Sequence, residues 1–186
     1  MPHFVRRAPG RTALAAAIGA TLIASAVVLP SLATGDTAAT GVTDTVYIQQ
    51  GGKHGLQFVA PPTAHVGDTL TVINQTNPHK VGPHTFALVT QKSIPKSRHA
   101  QDACFTKGHL CKAIQKWFGP KLSENPTLAG APGWDTPGNK KVKGDAWFTG
   151  NSPGTSISQQ VTSAPTRLFF FCAVHPFMKG SIQVLP

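Results

Sequence analysis

Near its C-terminus the chain runs from the apolar stretch Leu168-Phe169-Phe170-Phe171 directly into Cys172-Ala173-Val174-His175-Pro176-Phe177-Met178. A thiol, an imidazole and a thioether thus stand at three-residue steps. Along a strand, residues three apart point to opposite faces. Only a tight loop can turn all three toward one point, so a chain that uses them together must hold that loop between rigid elements. Taken singly, each has an ordinary explanation: a buried thiol, a surface histidine, a methionine filling a gap. Taken together they are a donor set, because thiolate and thioether are soft ligands. Two imidazoles, one thiolate and a long, weak thioether make the trigonal copper site suited to passing single electrons. The segment lacks one imidazole.

The missing imidazole has to come from a distant part of the chain. In Gly82-Pro83-His84-Thr85-Phe86-Ala87-Leu88-Val89, the alternation after His84 predicts a strand over Thr85–Thr90, which places His84 where a loop enters a strand. His79 competes for the place, since it too follows a proline. His84 is preferred because His79-Lys80-Val81-Gly82 leads only into more loop. His54, His65, His99 and His109 are expected at the surface.

The remaining pattern is that of an all-β chain with short strands. Thr45–Ile48, Leu56–Val59 and Thr69–Asn74 are expected as strands, with Leu70, Val72 and Asn74 on one face and Thr69, Thr71 and Ile73 on the other. Asn74–Pro83 is expected as a loop. Asp145–Phe148, Ser156–Thr162, Arg167–Ala173 and Ser181–Leu185 complete the strand set. Between the two groups lies a long irregular insertion at about 91–144, in which Ala113–Phe118 suggests helix, ended by Gly119-Pro120. Pro126, Pro132, Pro137 and several glycines predict loop rather than core over Glu124–Gly144. A two-sheet Greek-key sandwich is the architecture such a pattern suggests.

The ligand loop and the His84 segment resemble the cupredoxins, the small blue copper proteins that include plastocyanin, pseudoazurin and amicyanin. The loop is most similar to that of amicyanin in length and ending. Val66–Asn74 resembles the strand that precedes the first histidine ligand in that family. The resemblance covers roughly residues 44–90 and 145–186 and does not extend to the stretch between. It implies a cupredoxin-like β-sandwich or barrel holding one type 1 copper ion on His84, Cys172, His175 and Met178, with an electron path through the edge of His175 among Pro83, Pro176 and Phe177. Two residues depart from the family pattern. Val174 stands where the related loops carry proline and, unlike proline, has an N–H that could bond the Cys172 sulfur and raise the potential. Thr85 stands where many relatives place an asparagine that ties the ligand loops together, and its hydroxyl could do the same work. Asn74 precedes the first ligand segment and is expected to support the site.

Arg6, Arg7 and Arg11 before the apolar Ala13–Leu29 and the small-residue triplet Ser31-Leu32-Ala33 have the form of an export signal at 1–33. Cleavage after Ala33 is the simplest expectation. Retention as an anchor is the alternative, since about seventeen apolar residues reach the lower limit for crossing a bilayer. Residues 34–43 are expected as a flexible tether and 44–186 as the domain. Three cysteines in an exported chain leave one unpaired; with Cys172 on the metal, Cys104 and Cys111 pair as a disulfide. On one continuous helix they would stand about 10 Å apart, too far to bond, but Gly108 permits a turn between them. A second metal site from Cys104, His109 and Cys111, with His99 as a candidate fourth ligand, remains the competing arrangement.

The formal net charge is +10. Ten of the lysines and arginines lie between Lys92 and Lys143, facing only Asp102, Glu124 and Asp135 there. That asymmetry fits steering of an acidic redox partner, or simply a solvated face. No nucleic-acid-binding motif accompanies it. An exported monomeric carrier of single electrons is the expected function, and copper storage, delivery or sensing is the alternative. Catalysis is not expected, because the chain has no His-x-His pair for further copper centres and a four-ligand site leaves no open position for substrate.

Overall fold

The computed structural model describes residues 41–119 and 124–186. The export signal and residues 34–40 of the tether lie outside the described residues. No helix among the described residues is long and apolar enough to cross a membrane.

Strand β1 (Thr43–Gln50) forms where β-branched residues alternate with polar ones, burying Val46 and Ile48. It pairs with β2 (Leu56–Val59) antiparallel and with β4 (Thr69–Asn74) in parallel, Val46 opposite Val72 and Ile48 opposite Asn74. β8 (Ser156–Gln160) closes this four-stranded sheet, ordered β2-β1-β4-β8. A six-stranded sheet faces it, made of β3 (Thr63–His65), β5 (Thr85–Val89), β6 (Thr127–Ala129), β7 (Ala146–Phe148), β9 (Arg167–Phe171) and β10 (Lys179–Leu185). Its order is β3-β10-β9-β5-β7-β6. The expected strands all appear, with ends shifted by a few residues. β3 and β6 are additions whose three residues are too short to show a period.

The phenylalanine run is explained by two packed faces. Leu168, Phe170 and Cys172 point into the core between the sheets, where Phe170 meets Phe86 and Phe58. Phe169, Phe171 and Ala173 point to the other side. β5 divides in the same way, Phe86 and Leu88 inward and Ala87 and Val89 outward. A strand buried on both faces reads as continuous apolar sequence. Gly180, paired with Phe170 on the neighbouring strand, must be glycine, because a Cβ there would strike the Phe170 ring.

The insertion covers the outer face. Helix α3 (Leu110–Trp117) turns Leu110, Cys111, Ile114 and Trp117 onto Ala87, Val89, Ala146 and Phe171, the small alanines leaving room for the helix. It starts three residues before the expected helix. A shorter helix, α2 (Arg98–Ala103), is capped by the Ser97 hydroxyl accepting from the Ala100 N–H at 3.2 Å. The Cys104–Cys111 disulfide joins the end of α2 to the first turn of α3, with Cα atoms 5.0 Å apart and Gly108 in the left-handed region between them. Both sulfurs are committed to each other, which removes the alternative metal site at these cysteines.

Residues 124–144 have little regular structure, as expected, yet they are not excluded from the core. Trp134 is fully buried between the sheets, edge-on to Phe86, and its indole N–H donates to the Leu70 carbonyl at 3.2 Å. The buried Asp145 carboxylate accepts from the Asp135 and Thr136 N–H groups at 3.0 and 2.7 Å and holds the segment in place. A single tryptophan among prolines and glycines has no period to announce its burial, but a side chain of that size gains most from leaving water.

Candidate metal centre

The His84 end of β5 and the loop joining β9 to β10 lie side by side because β5 and β9 are hydrogen-bonded neighbours, Ala87 opposite Phe171. The loop is braced by its own backbone. The Cys172 N–H donates to the Met178 carbonyl at 3.0 Å, and the Met178 N–H donates to the His175 carbonyl at 2.8 Å. Thr85 ties the two ligand segments together, its hydroxyl oxygen accepting from the buried Ala173 N–H at 2.7 Å.

Three donor atoms converge as a result. The Nδ1 atoms of His84 and His175 are 3.2 Å apart, and the Cys172 sulfur lies 3.9 and 3.8 Å from them. A point equidistant from all three lies about 2.1 Å from each, against metal–nitrogen bonds of about 2.0–2.1 Å and metal–sulfur bonds of about 2.3 Å in tetrahedral sites. The donors fit one metal ion, and a thiolate with two imidazoles is the soft trigonal set of a type 1 copper site. Met178 lies at the end of the same loop, 2 % exposed and within the inter-sheet core.

No family model matches the chain, and no curated protein matches it. Among solved structures, a purple cupredoxin from Nitrosopumilus maritimus is 13% identical with a TM-score of 0.39, covering 76% of this chain and 98% of its own. Auracyanin A, a "blue" copper protein from Chloroflexus aurantiacus, is 14% identical with a TM-score of 0.39 and coverages of 77% and 99%. Amicyanin from Paracoccus versutus is 14% identical with a TM-score of 0.30 and coverages of 81% and 86%.

The neutral tautomer of His84 is set by its surroundings. The Thr76 hydroxyl donates its proton to Asn74 Oδ1 at 2.8 Å, so at 3.0 Å from His84 Nε2 the same oxygen can only accept. His84 therefore carries its proton on Nε2 and presents a bare Nδ1 to the metal. Thr149 grips the backbone of His84 from both sides, its hydroxyl oxygen accepting at 2.9 Å and its N–H donating to the His84 carbonyl at 3.0 Å. Burial, and then the neighbouring His175, push the His84 pKa from 6.5 to about 3. The His175 pKa is also lowered by burial, opposed by a hydrogen bond to the Val81 backbone. Both rings are thus neutral and ready to coordinate near pH 7.

Burial raises the Cys172 pKa, so without metal the group is a thiol and metal binding must expel its proton. The N–H groups of Thr85 and His175, each 3.4 Å from the sulfur, oppose that shift and favour the thiolate. The Val174 N–H adds to them, followed by the Thr85 hydroxyl. The sequence singled out Val174 alone, whereas three N–H groups share the work.

Asn74 is fully buried at the head of the Thr76–His84 relay. His79 is exposed on a single helical turn, α1 (Pro78–Val81), capped by the Asn77 side chain, where loop was expected. Pro83, His175 and Phe177 are half-buried, whereas Pro176 is buried and does not contribute to the surface around His175. The exposed His54 adds its ring there, 5.0 Å from Phe177. Thr76 and Thr149 were not anticipated. A signal for Thr76 existed: Leu70, Val72 and Asn74 are buried at alternate positions, and the alternation runs on through Thr76 to Pro78.

Proposed function

We propose that the chain is an exported carrier of single electrons, with His84, Cys172, His175 and Met178 as copper ligands. Bound there, copper supplies a Cu(I)/Cu(II) couple. The observation that carries the proposal is the convergence of three donor atoms, fixed by protein hydrogen bonds alone. Ligands that need not move between oxidation states keep the cost of gaining or losing an electron low. Four protein ligands also leave no position for a substrate. The half-buried edge of His175, with Pro83 and Phe177 beside it, is where a redox partner would exchange electrons.

Export is supported by the Cys104–Cys111 disulfide, since such bonds persist in oxidising compartments. It agrees with a signal at 1–33 removed after Ala33, a tether at 34–43, and a domain over 44–186 with its insertion at about 91–144. The N–H groups around Cys172 stabilise the electron-rich thiolate and so raise the potential. Val174→Pro removes one of the three and is expected to lower the potential, only in part because Thr85 and His175 remain; an unchanged potential removes Val174 from this role.

Visible absorption of the copper-loaded chain tests the proposal. An intense thiolate charge-transfer band that disappears in Cys172→Ser supports the carrier. Full Cu(I) binding with no such band in the Cu(II) form points instead to copper storage or delivery.

A further inference from the structure

The insertion leaves a hollow of about 590 Å³ between the chain after β5, the start of α3 and the segment around Asn139. Ile94, Pro95 and Leu110 form buried parts of its lining, and the exposed Lys92, Lys96, Lys140 and Lys141 line it as cations, with the exposed His109 ring beside them. Its volume is within the range of about 300–1,000 Å³ usual for ligand sites. A second hollow of about 270 Å³ shares Ile94 and Lys96 with the first and adds Phe169, Lys179 and Gly180. The two therefore lie next to each other. No Asp or Glu lines either hollow among the described residues. The nearest acid along the chain, Asp102, is paired with Arg98 at 3.1 Å.

We infer that this lysine-lined groove docks an extended acidic segment of a partner protein, with apolar side chains seated on Ile94, Leu110 and Phe169. Charge complementarity selects that occupant. The chain's own first forty residues carry Arg6, Arg7 and Arg11 against Asp36 alone, and a second copy brings a net charge of +10, so neither complements five lysines. Two neighbouring hollows with lysines spread along both suit a peptide better than a compact anion. Lys179, the residue after Met178, lines the second hollow, its ammonium donating to the Pro95 carbonyl at 3.4 Å, so a segment bound there lies within a few residues of the ligand loop. This use of the groove rests on the carrier reading; its affinity for acidic peptide does not.

The test uses the full copper-loaded chain and a fluorescent peptide alternating glutamate and leucine, followed by anisotropy. The expected result is saturable binding that weakens with salt. Lys92→Glu with Lys96→Glu, and separately Lys140→Glu with Lys141→Glu, should each weaken it by about tenfold or more, and the corresponding alanine pairs by less. Lys53→Glu with Lys80→Glu, exposed residues that line neither hollow, should leave it unchanged. Absence of binding, insensitivity to the groove lysines, or loss through Lys53 and Lys80 overturns the inference. So does citrate binding as tightly through the same lysines, which would assign the groove to a small anion. The visible band of the same samples reports the copper site separately, so failure of the carrier reading and failure of the groove are distinguishable.

Discussion

Thr76 illustrates how little separates a metal ligand from an ordinary buried histidine. Its hydroxyl gives its only proton to Asn74 and so forces His84 to donate from Nε2, leaving Nδ1 bare. Thr76→Val is therefore expected to weaken copper binding by roughly 10–100-fold, with Thr76→Ser restoring it, as measured by competition titration. The lowered pKa values make a second prediction. A histidine whose pKa falls on folding adds stability above its unfolded value and loses it as pH drops through the folded one. For His84 the window runs from 6.5 down to about 3, and His175 titrates in the same direction. Denaturant midpoints of the metal-free chain should fall through this range, and His84→Leu should flatten the fall. At this scale Cys172, His175 and His84 were legible because donor types and spacing are written in the sequence. Thr76 and Thr149 were harder, since a threonine carries no signal of its own until a partner is placed against it.

Periodicity explains which elements could be foreseen. β4 alternates because only one of its faces is buried, and its bounds were readable to the residue. β5 and β9 are buried on both faces, and their apolar runs still announced strands. α2, α1 and β6 were missed because three to six residues are fewer than two turns of helix or one convincing alternation. The segment around Trp134 was the larger surprise, as its backbone is irregular while its side chain completes the core. Trp134→Ala should cost about 3–5 kcal/mol, measured by equilibrium unfolding. A cost below about 1 kcal/mol would mean that the segment merely rests on the sandwich.

In the molecule as a whole, two cores flank one pair of strands. The inter-sheet core holds the inner faces of β5 and β9 and ends at Cys172; the second core, under α3, holds their outer faces and the disulfide. The site thus sits on strands fixed from both sides, which is why its donors need no metal to find one another. A ligand that binds only the folded chain stabilises it by mass action, about 2.7 kcal/mol at one hundred times its dissociation constant. Copper should accordingly raise the unfolding midpoint of the chain and not that of Cys172→Ser.

The central claim is a preformed, one-electron trigonal site. X-ray absorption of the Cu(I) and Cu(II) forms tests it most directly, because it reads the ligand shell in both oxidation states. Two nitrogens at about 2.0–2.1 Å and one sulfur at about 2.3 Å or slightly less, nearly unchanged on reduction, are predicted. A shell without sulfur, or one that loses a nitrogen when copper is reduced, would contradict it.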